Sequence, residues 1–136
     1  MKKLIFLVIV MMLVIPYVGM TQHVTVQSFT AFQASIGHLE GDNLVFSDPK
    51  ECNIPITFNL LKNKIFIFAE RSFDLQIYYM EIEEENDDFI CYSINAYDVE
   101  GNDVLLLRYI PKSLAYYHTL YLVLGEYTIE YYLKNQ

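Results

Sequence analysis

The 136-residue chain has no tryptophan, three histidines, two cysteines and nine basic residues. Each shortage excludes something. His23, His38 and His118 are far apart in the chain and read as isolated surface histidines. They offer no close pair on which to build a zinc site. No nucleophile elbow accompanies them, and neither cysteine has a local catalytic context, so Ser-His-Asp and Cys-His chemistry find no footing. Apart from Lys2 and Lys3, the basic residues are Lys50, Lys62, Lys64, Arg71, Arg108, Lys112 and Lys134. They are scattered and form no stripe, which argues against a nucleic acid partner. The net charge of −8 becomes −10 when the two N-terminal lysines are set aside, and an anionic membrane surface is disfavoured by repulsion. A chain this small, without tryptophan and with most of its acids in turns, does not suggest the paired carboxylates of a glycosidase. Helical periodicity is almost absent, and internal repeats, a low-complexity linker and a domain boundary are missing.

What is present begins at the N-terminus. Lys2 and Lys3 precede an unbroken apolar run from Leu4 to Ile15, then Pro16 and the small-residue exit Val18-Gly19-Met20-Thr21. A basic start, an apolar middle and a small-residue exit are the parts of a secretory signal peptide. Gly19 and Thr21 suit a cut before Gln22, giving a signal peptide over residues 1–21 and a single exported β domain over residues 22–136, periplasmic or secreted. The alternative is an uncleaved N-terminal helix that anchors the domain in a membrane. The apolar stretch to Met20 is only slightly short of the roughly 20 residues needed to span a bilayer. Pro16 favours cleavage because it stops the helix just before the cut. A membrane partner enters only if the leader is retained.

Export makes a disulfide permissible. Cys52 and Cys91 are the candidates, closing a loop of about 40 residues that the loop-entropy model values at roughly 3–4 kcal/mol. The alternative is two free, buried thiols that behave as small hydrophobes.

Period-two alternation dominates the rest. Leu120, Leu122 and Leu124 share one face. Gly125-Glu126 supplies a two-residue turn with glycine first, and Tyr127, Ile129, Tyr131 and Leu133 return. Ile56, Phe58 and Leu60 lead into a Lys62-Asn63 turn, with Lys64–Ala69 coming back and Pro55 opening the first strand. Phe73–Glu83 changes apolar parity midway, which a β-bulge near Tyr78-Tyr79 would reconcile. Ile90, Tyr92, Ile94 and Ala96 face inward on the next strand. Val104–Ile110 is apolar on both faces, with Arg108 as its one charge. Val24–Ser35 reads as a strand with a parity slip between Val26 and Phe29, and Leu44–Phe46 as a short strand. Pro111–His118 reads as irregular or as a single helical turn. The expected fold is all-β: one antiparallel meander of about 7–9 strands forming a half-barrel, small barrel or sandwich, preceded by an N-terminal signal helix. An eight-stranded outer-membrane barrel is disfavoured, because several strands fall short of the 9–11 residues such barrels use.

Two acidic segments resemble cation sites. Asp98–Asp103 has oxygens at alternate positions, but its glycine comes too early for an EF-hand and no bidentate Glu follows at the required spacing. A hairpin turn explains it better. The run from Glu81 to Asp88 reads as a solvated hairpin tip that keeps an edge from pairing. No metal, cofactor or catalytic residue is assigned.

The tyrosines carry the functional expectation. Pairs occur at Tyr78-Tyr79, Tyr116-Tyr117 and Tyr131-Tyr132. On a strand each pair sends one ring in and one out. Outward rings offer an apolar platform with hydroxyl tips for a protein or small ligand, although tyrosine also has high β-propensity for purely structural reasons. The candidate binding surface is Tyr116, Tyr117 and Tyr132. The chain is therefore expected to be a non-enzymatic exported β module binding a ligand or protein through a tyrosine-bearing surface. The alternatives are a structural or assembly component of an envelope complex and, as a minor reading, a hydrolase with an unrecognised site.

Overall fold

The structure, a computed structural model, describes residues 26–135. The expected leader and its helix lie outside the described residues. Nine strands follow one another: β1 (Val26–Glu40), β2 (Asn43–Phe46), β3 (Lys50–Asn59), β4 (Lys64–Ile67), β5 (Phe73–Glu85), β6 (Phe89–Tyr97), β7 (Asp103–Pro111), β8 (His118–Leu124) and β9 (Tyr127–Asn135). No helix occurs among the described residues. Strands β3 to β9 form an antiparallel meander. β1 pairs with both β3 and β9 and so closes the sheet into an eight-stranded barrel, with β2 as an extra strand on the far half of β1. Of the architectures the alternation allows, the closed barrel is the one formed.

β1 manages this double pairing through length and a bulge. Its first part pairs with β3 from Val26 to Ala34, its last part with β2 from Gly37 to Glu40, and β9 runs along the other edge from Phe29 to His38. The register shifts between Ala31 and Gln33 on both ladders but in opposite senses: against β9 the extra residue is Phe32, whereas against β3 the extra residue lies in β3, where Cys52 and Asn53 stand opposite Phe32. The parity slip expected before Phe29 thus falls later, at Phe32. A bulge bends the strand and strengthens its twist, as barrel closure requires.

The inner wall is apolar. Phe58, Ile65 and Leu75 share one inward row, as do Ile94, Leu106 and Leu122, and all six are essentially sealed from solvent. Each fully buried aliphatic or aromatic side chain of this kind contributes about 1.5–3 kcal/mol. The outer wall bears Thr57, Asp74, Gln76 and Asn95, none of them buried. The same wall carries Phe66, Leu105, Leu107 and Val123, so it is mixed; it is the apolar interior that differs from a transmembrane barrel, whose lumen is polar.

The bulge expected in β5 is present between Ile77 and Tyr79, and a second lies between Ile82 and Glu84. The first brings Met80 and Ile82 into register with the inward residues Ile94 and Tyr92. The Gly125 turn forms as expected, with Leu124 opposite Tyr127 and a φ of 62° at Gly125 that glycine adopts without steric cost. Two expectations shift. Pro55 sits inside β3, opposite Thr30, instead of opening it. Its carbonyl accepts the Phe68 N–H on the β4 side, where the β4 ladder has already ended, so the missing proline donor breaks no rung. The turn after β3 is longer than Lys62-Asn63, because Asn59 already pairs with Lys64.

Gly37 is required by packing. A Cβ there would stand 2.6 Å from the Phe46 ring, which lies flat on the outer side of β1 and reaches the Tyr121 ring at 6.0 Å. Ser47 reinforces the contact, its backbone N–H donating to the Ile36 carbonyl while its Oγ accepts the Ile36 N–H. Gly37→Ala is expected to displace this ring and lower stability by about 1–2 kcal/mol in denaturant unfolding. In the Phe46→Ala background the same change should cost almost nothing, and an equal loss in both backgrounds would refute the contact.

Candidate functional site

A cleft of about 540 Å³ lies on the outer wall at one end of the barrel. Its floor is Tyr109 from β7 with Thr119 and Tyr121 from β8. One rim is the β5–β6 turn, with Asp87, Asp88 and Phe89; the other is the irregular β7–β8 segment, with Pro111, Tyr116 and Tyr117.

The floor is set by strand register. Tyr109 lies opposite Thr119, so Tyr121 sits diagonally beside it on the same face, with ring centroids 5.6 Å apart. Phe89 packs against the other side of Tyr109 in a tilted ring contact at 5.3 Å. The rims are tied together. The Lys112 N–H donates to the Asp88 carbonyl at 2.9 Å, and Lys112 Nζ pairs with Glu85 at 3.2 Å. Asn86 shapes the turn by accepting the N–H groups of Asp88 and Phe89 on Oδ1. Because Lys112 is engaged by Glu85, the carboxylates of Asp87 and Asp88 have no ion-pair partner among the described residues.

Of the three tyrosines singled out in the sequence, Tyr116 and Tyr117 line this cleft and are 72% and 59% exposed. Tyr117 also rests on Phe32, the bulged residue of β1, at 4.6 Å. Tyr132 lies beside the cleft, opposite Thr119 on the neighbouring strand. Its hydroxyl donates to Glu130 at 2.7 Å, and this bond to a carboxylate, with partial burial and the Glu130 charge, pushes its pKa up to about 12. Glu130 also accepts from Tyr121, whose ionisation burial and Glu130 push well above the usual phenol range. One buried carboxylate thus orients two rings beside and beneath the cleft. The one-in, one-out rule holds at Tyr131-Tyr132, where Tyr131 is buried in the core. It fails at Tyr78-Tyr79, where the bulge leaves both exposed, and at Tyr116-Tyr117, which are not on a strand. Tyr109, Tyr121, Phe89 and the two aspartates join the site only through cross-strand register, which no local pattern announces.

The other expected positions resolve individually. Cys52 and Cys91 are free thiols. Cys52 packs against the core and donates to the Ala31 carbonyl at 3.3 Å, whereas Cys91 lies against Tyr109 on the outer wall, with β4 and β5 between their strands. Burial pushes both thiols up from their ordinary value. Asp98 caps its own turn by accepting the N–H groups of Glu100 and Asn102, and these bonds hold its carboxyl below the usual range. No group of three or more His, Cys, Asp or Glu able to hold a metal occurs among the described residues.

His118 is not a surface histidine. It faces inward opposite Leu133, lies against Phe29 in a tilted ring contact at 5.3 Å and has a buried Nδ1 without a hydrogen-bond partner. Comparison with protein-family models, curated proteins and solved structures finds no match.

Partial burial, then the Arg108 charge, lower the His118 pKa from 6.5 in the folded protein. Below that pH the unfolded chain takes up a proton that the folded chain resists. This contribution is therefore complete above about pH 6.5 and lost as pH falls through the lower folded value. The melting temperature is expected to fall between pH 7 and pH 5, with a shallower fall in His118→Gln. Identical slopes would remove His118 from the acid response.

Proposed function

We propose that this chain is a non-enzymatic exported binding module and that its outer cleft takes a ligand bearing a cationic group. The observation that carries this reading is the convergence of four tyrosines, one phenylalanine and two unpaired aspartates on one cleft. Aromatic faces attract cations through their quadrupole, more so when the cation is partly desolvated. Carboxylates at one rim supply the opposite charge, and phenol hydroxyls supply adaptable hydrogen bonds. The chain's net charge of −8 draws cations toward the surface as a whole.

A second reading, as an assembly component, has its own support. Leu39, Leu44 and Val45 are exposed on and beside the short strand β2, which has an unpaired edge among the described residues. An exposed apolar strand edge suits strand addition by a partner.

Choline and its neutral isostere 3,3-dimethylbutan-1-ol distinguish a charge-reading cleft from a merely apolar one. Titration followed by amide NMR is expected to show choline shifting residues 87–89, 109, 113–119 and 121, with the isostere binding roughly tenfold more weakly. Tyr116→Ala and the pair Asp87→Asn, Asp88→Asn should each weaken choline binding. Equal binding of the two probes would defeat the cationic reading. For the leader, the intact mass of the natural exported protein is expected to begin at Gln22; retention of Met1 would favour the anchored alternative.

A further inference from the structure

Among the described residues, the barrel interior holds one arginine or lysine side chain. Arg108 lies on β7 between Tyr92 and Leu120 in an inward row and is only 6% exposed. Its guanidinium carbon stands 4.4 Å from the Phe58 ring centroid and 5.1 Å from that of Phe29. Nη2 donates to Gln27 Oε1 at 2.8 Å. Nε is buried and makes no hydrogen bond. Among the described residues no carboxylate forms an ion pair with it. Residues 1–25 contain neither Asp nor Glu, so no side-chain carboxylate can come from there. Burial lowers the Arg108 pKa to about 10, which still leaves it charged at neutral pH.

A buried, unpaired ion costs several kcal/mol even after the protein relaxes around it. Two ring faces and one amide oxygen offset part of that cost. A carboxylate on the unpaired Nε edge would offset the rest, because the guanidinium fork matches two carboxylate oxygens.

Room for such a group exists. Arg108 lines a cavity of about 160 Å³ whose other walls include Phe58, Leu60, Met80, Ile94 and Ile110. That volume matches the roughly 150 Å³ of a dry apolar cavity that accommodates benzene. An approach exists as well. β4 pairs with β5 only from Phe73 to Gln76, so the rest of β5 has β6 on one side and no strand on the other among the described residues. Met80 and Ile82 face inward by register yet are 43% and 53% exposed along this gap. They form an apolar lip between solvent and the cavity.

We propose that the barrel interior is a second binding site, for a small organic carboxylate with an apolar body of about one ring or a short chain, anchored by Arg108. A free phosphate fits poorly, since beside one guanidinium the walls offer only the Gln27 amide, whose oxygen Arg108 already engages, and the Tyr92 phenol among five apolar side chains, which leaves much of its charge unmatched. This site is independent of the outer cleft and of the cationic ligand assigned to it.

Benzoate and hexanoate are suitable probes, with benzamide and inorganic phosphate as controls. Calorimetry and amide NMR on the purified chain are expected to show benzoate or hexanoate shifting residues 58, 80, 94, 108 and 110 while leaving 116 and 121 unmoved. Benzamide and phosphate should bind at least roughly tenfold more weakly, the loss expected for a hydrogen-bonded charge. Arg108→Met should weaken benzoate binding by a similar factor and raise the melting temperature of the unliganded protein, because it removes an unpaired buried charge. Should Arg108→Met fail to fold, the contrast among the probes on the unaltered protein decides alone. Failure of both carboxylates to bind, equal binding of benzoate and benzamide, or full benzoate affinity in Arg108→Met would overturn the proposal. Choline shifts at the cleft would be untouched by any of these results.

Discussion

Barrel closure depends on the ladder between β1 and β9, from Phe29 opposite Asn135 to His38 opposite Tyr127. It joins two ends of the described chain that are about a hundred residues apart, and its chain-entropy cost grows only slowly with that separation. The return is large. Without the ladder, the inward rows of β3 to β9 would line an open, curved sheet with one face wet. With it, Ala31 meets Leu133, Phe29 and Tyr131 are buried, and two edges vanish that would otherwise invite pairing with other chains. The bulge at Phe32 belongs to the same requirement, because one strand must leave β3, keep β9 and accept β2 within fifteen residues. The ladders shift at the same level in opposite senses, β1 carrying the extra residue against β9 and β3 carrying it against β1.

Closure also sets the chemistry of the interior. A closed eight-stranded wall leaves space that side chains nearly fill. Here the filling is aliphatic and aromatic except at one end, where Arg108, Gln27 and His118 face inward. Their arrangement is not that of a self-sufficient polar network. Arg108 Nε and His118 Nδ1 both lack hydrogen-bond partners, and the Arg108 charge disfavours protonation of His118. Fully satisfied networks rigidify a core, whereas partly satisfied ones carry a cost that needs a reason. In a protein whose remaining core is apolar, that cost concentrates at the one end where the wall is incomplete.

Much of this fold was legible because a barrel wall with one dry face imprints alternation on its strands. Leu120, Leu122, Tyr131 and Leu133 announce their face directly, and the glycine turn between β8 and β9 fixes their register. Pro55 misled because a proline is usually read from its own position, while its tolerance here depends on where the neighbouring β4 ends. Arg108 was not placeable because Val104–Ile110 is apolar on both faces, so alternation could not say which face was inside. Leu105 and Leu107 are in fact on the outer wall, half-buried by neighbouring groups. Tyr116 and Tyr117 stood out by pairing, but the cleft they border was invisible, since its floor comes from strand register and its acidic rim from a different turn. His118 looked like a surface histidine because a lone polar residue beside a loop ordinarily is one; its burial follows from lying opposite Leu133.

The two proposed sites occupy the same end of the barrel, and the connections explain why. At the opposite end the turns are short and spend their polar groups on themselves, as Asp98 does on the N–H groups of Glu100 and Asn102. At this end β5 outruns β4, the β5–β6 turn projects two unpaired aspartates, and β7 passes to β8 through an irregular segment carrying Tyr116 and Tyr117. A smaller hollow lined by Tyr116, Tyr117, His118 and Phe29 lies between the outer cleft and the inner row, and the Phe29 ring in turn faces the Arg108 guanidinium. The two sites therefore differ in sign while sharing a boundary of aromatic side chains. Acidic groups lie outside it and a cation lies within. An apolar septum between opposite charges keeps them from neutralising each other, because closing the distance would require either carboxylates inside the barrel or the guanidinium outside it. The sequence meets that condition by placing Asp87 and Asp88 in the β5–β6 turn and its inward arginine in the middle of a strand.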